Sequence, residues 1–181
     1  CLDKRYGREL IKAGERGNVL AFFEDRPEKW DAWNIEPYAD RKCYGPDEVS
    51  VEALECDALT AAVCVKSVFH RSIFREEIRL SADRPLVELS FTVDWRESGM
   101  LAKLVFPLDI NADCSTGEIA FGCAKRSLDS NTSWQQAQYE LCAHRWMDVS
   151  EGGYGVSFLN DCKYGFDAKD GVVRLSLIKA G

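Results

Sequence analysis

The chain has 181 residues, 46% of them hydrophobic and 29% charged, with a formal net charge of −7. That length suits one domain over 1–181, and it buries roughly 70% of its unfolded surface without help from a disulfide or a metal. The acidic balance speaks against nucleic acid or an anionic membrane as partner, and no apolar run nears the ~20 residues of a membrane span. The opening CLDKRYGREL lacks the apolar core of a signal peptide and has no initiator Met, so a fragment or processed piece is expected.

Taken in chain order, the pattern predicts strands almost throughout. NVLAFFED comes first. RPEKWDAWNIEPY, with Pro at each end, is the best candidate for a helical turn or two. LTAAVCVKSVF and IFREEIRLSA follow as strands. In LVELSFTVDW, Val87, Leu89, Phe91, Val93 and Trp95 alternate with Glu88, Ser90, Thr92 and Asp94, the period of a half-buried strand. Residues 96–99 lead into MLAKLVFPLDI, and the two runs read as a hairpin. Pro107 predicts an edge or a strand end there. GEIAFGCA, YELCAHRWMDVS, YGVSFLN and VVRLSLIKA complete the set, with DAKDG as a turn. Strands at this spacing predict an all-β, antiparallel sandwich with few short helical turns.

Chemistry is sparser. The eight cysteines form no C-x-x-C pair and match no common zinc spacing. Cys64, Cys123 and Cys142 fall in strand-like runs and read as small buried hydrophobes in a reducing cytosol, which predicts a cytoplasmic protein. The two histidines, His70 and His144, lie in strand-like runs without a nucleophile motif and read as structural sheet residues. An autonomous hydrolase built on His144 stays a minor alternative. Trp30 and Trp33 stand among Glu24, Asp25, Glu28 and Asp31. Indoles stack on sugar rings and carboxylates bind hydroxyls, so Trp30, Trp33 and Trp134 are candidates for sugar stacking, or equally for filling an interface. Asn131-Thr132-Ser133 fits a glycosylation sequon, but the same residues set turns.

EDRPEKWDAWNI, VDW, FPLDI, NTSW, AHRWMDVSE and GVSFLNDCKYG occur in this order along nearly the whole chain. Together they resemble the α-mannosidases of glycoside hydrolase family 38, of the bacterial and cytosolic-type branch. The resemblance implies the C-terminal β-sandwich portion of such an enzyme, of the galactose-mutarotase-like supersandwich kind. It implies a parent that hydrolyses terminal α-mannosides with retention, using two carboxyl groups roughly 5 Å apart. The zinc that the family uses would belong to an N-terminal catalytic barrel, and no residue here matches its nucleophile or metal ligands. No cofactor or catalytic residue is therefore expected in this chain. Its expected partners are its own N-terminal catalytic domain and a mannose-containing oligosaccharide, with no nucleic acid and no membrane, and a homodimer through a bared surface would not surprise. An independent carbohydrate-binding module is the alternative.

Within this reading, the loop after YGVSFL is the candidate rim. Asn160, Asp161 and Lys163 are placed to hydrogen-bond a sugar hydroxyl or the barrel's own loops. Tyr164-Gly165 makes the return.

Overall fold

The computed structural model describes residues 1–35 and 42–180. In chain order the strands begin with β1 (Leu2–Asp3), β2 (Arg8–Glu9), β3 (Val19–Glu24), β4 (Cys43–Tyr44), β5 (Glu48–Cys56), β6 (Thr60–Phe69), β7 (Ser72–Ser81) and β8 (Val87–Asp94). They continue with β9 (Met100–Pro107), β10 (Cys114–Ile119), β11 (Gly122–Ser127), β12 (Leu141–Cys142), β13 (Trp146–Glu151), β14 (Tyr154–Leu159), β15 (Gly165–Lys169) and β16 (Val172–Ala180). A single helical turn, α1 (Ser133–Gln136), lies between β11 and β12. The all-β, antiparallel character that the alternation predicts is what forms.

The chain makes two compact units, Cys1–Cys43 with Gly99–Gly181, and Tyr44–Ser98. No linker composition marks either boundary, because residues 44–98 continue the strand pattern of their flanks.

The first unit is a sandwich. A six-stranded sheet has the order β12-β15-β16-β9-β3-β4, and a four-stranded sheet has the order β11-β10-β13-β14. Alternation turns one face of each inward. Met147 and Val149 of β13 meet Phe166 and Ala168 of β15, Val173 of β16, and Leu108, Ile110, Leu128 and Ala143 in one buried cluster. Burying such side chains stabilises by roughly 1.5–3 kcal/mol each. The second face of the large sheet has a smaller core of Ala21, Phe23 and Leu101.

The second unit is one meander, β5-β6-β7-β8. Its register puts Val51, Val65, Glu76 and Phe91 side by side on one face, and Ser50, Lys66, Arg75 and Thr92 on the other. On the polar face Arg79 pairs with Glu77 and Glu55 at 2.7 and 2.8 Å.

Several local expectations change. LVELSFTVDW and MLAKLVFPLDI do not form a hairpin: β8 pairs with β7, and β9 pairs with β3 and β16. Four residues with a glycine can close a hairpin, but here Gly99 (φ 63°) hands the chain from one sheet to another. Pro107 does end its strand. GEIAFGCA is not one strand but the end of β10, a turn at Ala120-Phe121, and the start of β11. YELCAHRWMDVS also breaks, into β12 of the large sheet and β13 of the small one. DAKDG is strand up to Lys169, and the turn is only Asp170-Gly171, both at positive φ. β5 went unread, because Glu, Ala and Leu in EVSVEALEC mask its Val-Ser-Val core. The described part of RPEKWDAWNIEPY makes a turn without a helix, and its last residues, 36–38, lie outside the described residues. Thr132 caps α1: its hydroxyl accepts from Gln135 N–H, and the Gln135 side chain accepts from Thr132 N–H. That is the turn-setting alternative for the sequon residues.

Candidate functional site: a hollow at one end of the small sheet

The loop 160–164 links β14 of the small sheet to β15 of the large one. Asn160 organises it. Its N–H donates to the Arg145 carbonyl at 2.8 Å, and its side-chain oxygen accepts from Lys163 N–H at 2.7 Å. This is the local turn that asparagine favours. The Asn160 amide oxygen is thus engaged in holding the loop. Tyr164 C=O accepts from Ala143 N–H at 2.9 Å, tying the loop's far end to the segment before β13. That segment is pinned in turn by the β10 end: His144 N–H donates to Glu118 C=O (3.1 Å) and Arg145 N–H to a Glu118 carboxylate oxygen (2.7 Å).

These ties leave an open hollow of about 390 Å³ lined by Cys142, His144, Arg145, Asp161 and Tyr164. Its volume lies within the usual range of small-ligand pockets, roughly 300–1,000 Å³. The His144 and Tyr164 rings meet edge to face, centroids 6.2 Å apart at 71°. Asp161 and Arg145 are both exposed there, one of each charge. Cys162 is exposed behind Asp161, and its thiol is pushed above the ordinary cysteine value, chiefly by its hydrogen bond to Asp161. Lys163 is half-buried in the loop and does not line the hollow.

Gly165 closes the loop where no side chain fits. A Cβ there would stand 2.7 Å from a Glu140 carboxylate oxygen and 3.2 Å from Ser176 Cβ. Glu140 is held in place by Lys103 Nζ and by the Ser176 hydroxyl, which donates to it at 2.5 Å. Lys103 is itself buried (2% exposed) and donates at 2.7 Å to Asp167, which also accepts from Arg174 Nε at 2.7 Å. Burial works to lower the Lys103 pKa, but Glu140 and Asp167 outweigh it and hold the ammonium above the ordinary lysine value. A cluster of two cations and two carboxyls therefore underlies the loop, with Lys103 and Asp167 buried and Glu140 and Arg174 half-buried; burial, chiefly, pushes the Glu140 carboxyl above its ordinary value.

Of the candidates read from sequence, Asp161 and Tyr164 come together in the hollow. Trp30, Trp33 and Trp134 do not line it. Trp30 and Trp33 form a separate, exposed stacked pair, centroids 6.3 Å apart, with Trp30 at φ 62°. Trp134 is 84% exposed on α1. The sequence points to His144 only through the minor hydrolase alternative, and to Cys142 and Arg145 not at all. All three lie in what reads as one strand with β13; Cys142 stays in the large sheet as part of β12, and the break after it takes His144 and Arg145 out of the sheets. Cys123 and Cys142 are exposed rather than buried, because each alternates onto the outer side of its strand, and Cys64 is half-buried. His70 also departs from expectation. It sits exposed in the β6–β7 turn at φ 49°, with Asp47 Oδ2 accepting from its N–H at 2.6 Å.

Among the described residues no group of three or more His, Cys, Asp or Glu is placed to hold a metal ion. No helix of the described residues is long and apolar enough to cross a membrane.

Comparison with known proteins shows the family of the chain. The chain is 35% identical over 177 residues to human alpha-mannosidase 2C1, covering 96% of this chain and 17% of that protein. It is 33% identical over 189 residues to an alpha-mannosidase of Saccharomyces cerevisiae, covering 99% of this chain and again 17% of the relative. The chain thus spans about one sixth of the length of these curated relatives. An alpha-mannosidase crystal structure from Enterococcus faecalis has the same fold, with a TM-score of 0.78 at 10% identity over 99% of this chain and 23% of its own. The family model of the glycosyl hydrolases family 38 C-terminal domain matches residues 1–181, and the chain belongs to that family.

Proposed function

We propose that this chain is the C-terminal β-sandwich part of a retaining, zinc-dependent α-mannosidase, and that the hollow at its sheet end lines the rim of the active site. The single observation that carries the rim reading is the convergence of Asp161, Arg145, His144 and Tyr164 on one preorganised hollow in a family 38 chain. A carboxylate there accepts from sugar hydroxyls, a guanidinium donates to them, and the Tyr164 and His144 rings offer a stacking face. Main-chain ties at both ends of the loop fix these groups before substrate arrives, which lowers the ordering cost of binding. Bond cleavage itself needs two carboxyl groups roughly 5 Å apart, and in this reading they belong to the N-terminal barrel, as does the zinc. The partners are then that barrel and a mannose-containing oligosaccharide. Eight free thiols suit a reducing compartment, in keeping with a cytoplasmic enzyme.

Asp161→Ala in the complete enzyme tests the rim reading. Its specificity constant toward a mannoside is expected to fall about tenfold with the melting temperature unchanged, the scale of one lost hydrogen bond to a charged group. An unchanged specificity constant ends the reading. One observation favours the second possibility, an independent carbohydrate-binding module: the exposed Trp30–Trp33 pair. Titrating mannose oligosaccharides into the 181-residue chain and following tryptophan fluorescence decides it, since a module binds alone and a rim fragment does not.

A further inference from the structure

We propose that Glu140 is a positioning residue for the hollow: its carboxylate bears on Gly165, and through that contact it sets Tyr164 and Asp161 where they face a sugar. This rests on the reading of the hollow as an active-site rim, and it adds a residue that does not itself line the hollow.

Glu140 stands where the two walls of the hollow join. It directly precedes β12, whose Cys142 lines the hollow, and Cys142 pairs in register with Gly165, the first residue of β15. One wall runs on from Glu140 through Cys142 to His144 and Arg145. The other ends in Tyr164, immediately before Gly165. The carboxylate also explains the glycine. Gly165 is not at positive φ, so backbone conformation does not require it, whereas a Cβ would come within 2.7 Å of Glu140 Oε1. Beyond that contact the loop is closed on itself, because the Asn160 side chain accepts from Lys163 N–H. A shift at Gly165 is therefore passed to Tyr164 and, through the closed loop, to Asp161.

The carboxylate has little freedom of its own. Lys103 donates to Oε2 and the Ser176 hydroxyl to Oε1. Lys103 of β9 and Ser176 of β16 are cross-strand partners, and Asp167 of β15 and Arg174 of β16 are another such pair. Asp167 lies two residues beyond Gly165 on the same face of β15, so the cluster grips that strand at both positions. An apolar side chain would fill the place of Glu140 at a smaller desolvation cost. What the charged group adds is direction: with both oxygens engaged in a partly dry setting, it has one orientation.

The test is Glu140→Asp in the complete enzyme, which keeps the charge and draws the carboxylate back from Gly165 by one methylene. KM for a mannose oligosaccharide is expected to rise about fivefold with kcat unchanged, the pattern of lost binding rather than lost chemistry. Amide exchange across residues 160–165 should quicken about threefold or more, while β3 and β13 exchange at their wild-type rates. Gly165→Ala, which brings a methyl group against the carboxylate from the other side, should reproduce both changes. The two substitutions together should lie closer to wild type than Gly165→Ala alone, because the shorter side chain makes room for the methyl. Exchange that quickens equally in β3 and β13 would mean that Glu140 only adds stability, and it overturns the proposal. So does a 160–165 segment that keeps its wild-type exchange in both single variants, or a double variant whose losses simply add. The reading beneath fails separately: a loop that loosens in each single variant while KM stays put would leave Glu140 positioning the loop and sink the rim.

Discussion

Replacing Lys103 by methionine is expected to destabilise the protein by about 3–5 kcal/mol, since removing one member of a buried charge cluster leaves its partners uncompensated. Methionine nearly preserves the volume, so the loss is electrostatic. Glu140 and Asp167 both hydrogen-bond the ammonium, and afterwards Asp167 keeps only Arg174. Urea unfolding followed by tryptophan fluorescence measures it. Adding Glu140→Gln to Lys103→Met should recover part of the loss, because it removes one stranded carboxylate; strict additivity would mean that the two groups act independently. A pH profile supplies a second check. Lys103 is held above its ordinary pKa, so its contribution is complete below about pH 10.5 and disappears as the pH rises through the raised value. Wild-type stability should therefore fall on the alkaline side of that point, and the Lys103→Met variant should lack this component.

Phe166→Ala should cost a similar amount, about 3–5 kcal/mol, by removing a large side chain from a packed interior. Phe166 is 1% exposed, pairs with Leu141 on one side and Leu175 on the other, and belongs to the cluster that joins the two sheets of the sandwich. Because it follows Gly165 directly, the vacated space opens beneath the 160–164 loop. Phe166→Leu, which refills most of the volume, should lose less than half as much on the same urea curve. Equal losses from the two variants would mean that ring contacts, not filled space, hold this position.

The fold was legible because its cause is local. Alternation in LVELSFTVDW needs only one wetter face and one drier face, and both can be read along the chain. Partnership is not local. β8 and β9 look like a hairpin because four residues and a glycine can make one, and nothing in RESG tells a turn from a passage between sheets. The site divides in the same way. Asn160 and Gly165 are recognisable as turn residues, and Asp161 with Tyr164 as polar and aromatic groups held between them. His144 and Arg145 were hidden inside an apparently continuous strand. Their exposure depends on Glu118 capturing both of their N–H groups, a tie across 26 and 27 positions of sequence that no periodicity carries. Lys103 was hidden more completely, as one charge in an apolar run whose partners lie 37 and 64 residues away.

The hydrogen bond from Cys162 to Asp161 also bears on how the protein ages. The reactive form of a cysteine is the thiolate, and alkylation and peroxide oxidation both begin there. By raising the thiol's pKa, Asp161 reduces further the small thiolate fraction that an exposed cysteine carries at neutral pH. A sulfur standing openly beside the proposed rim is thereby slow to become a sulfenic acid or a glutathione adduct. The same carboxylate that offers itself to a sugar also shields its neighbour from oxidants.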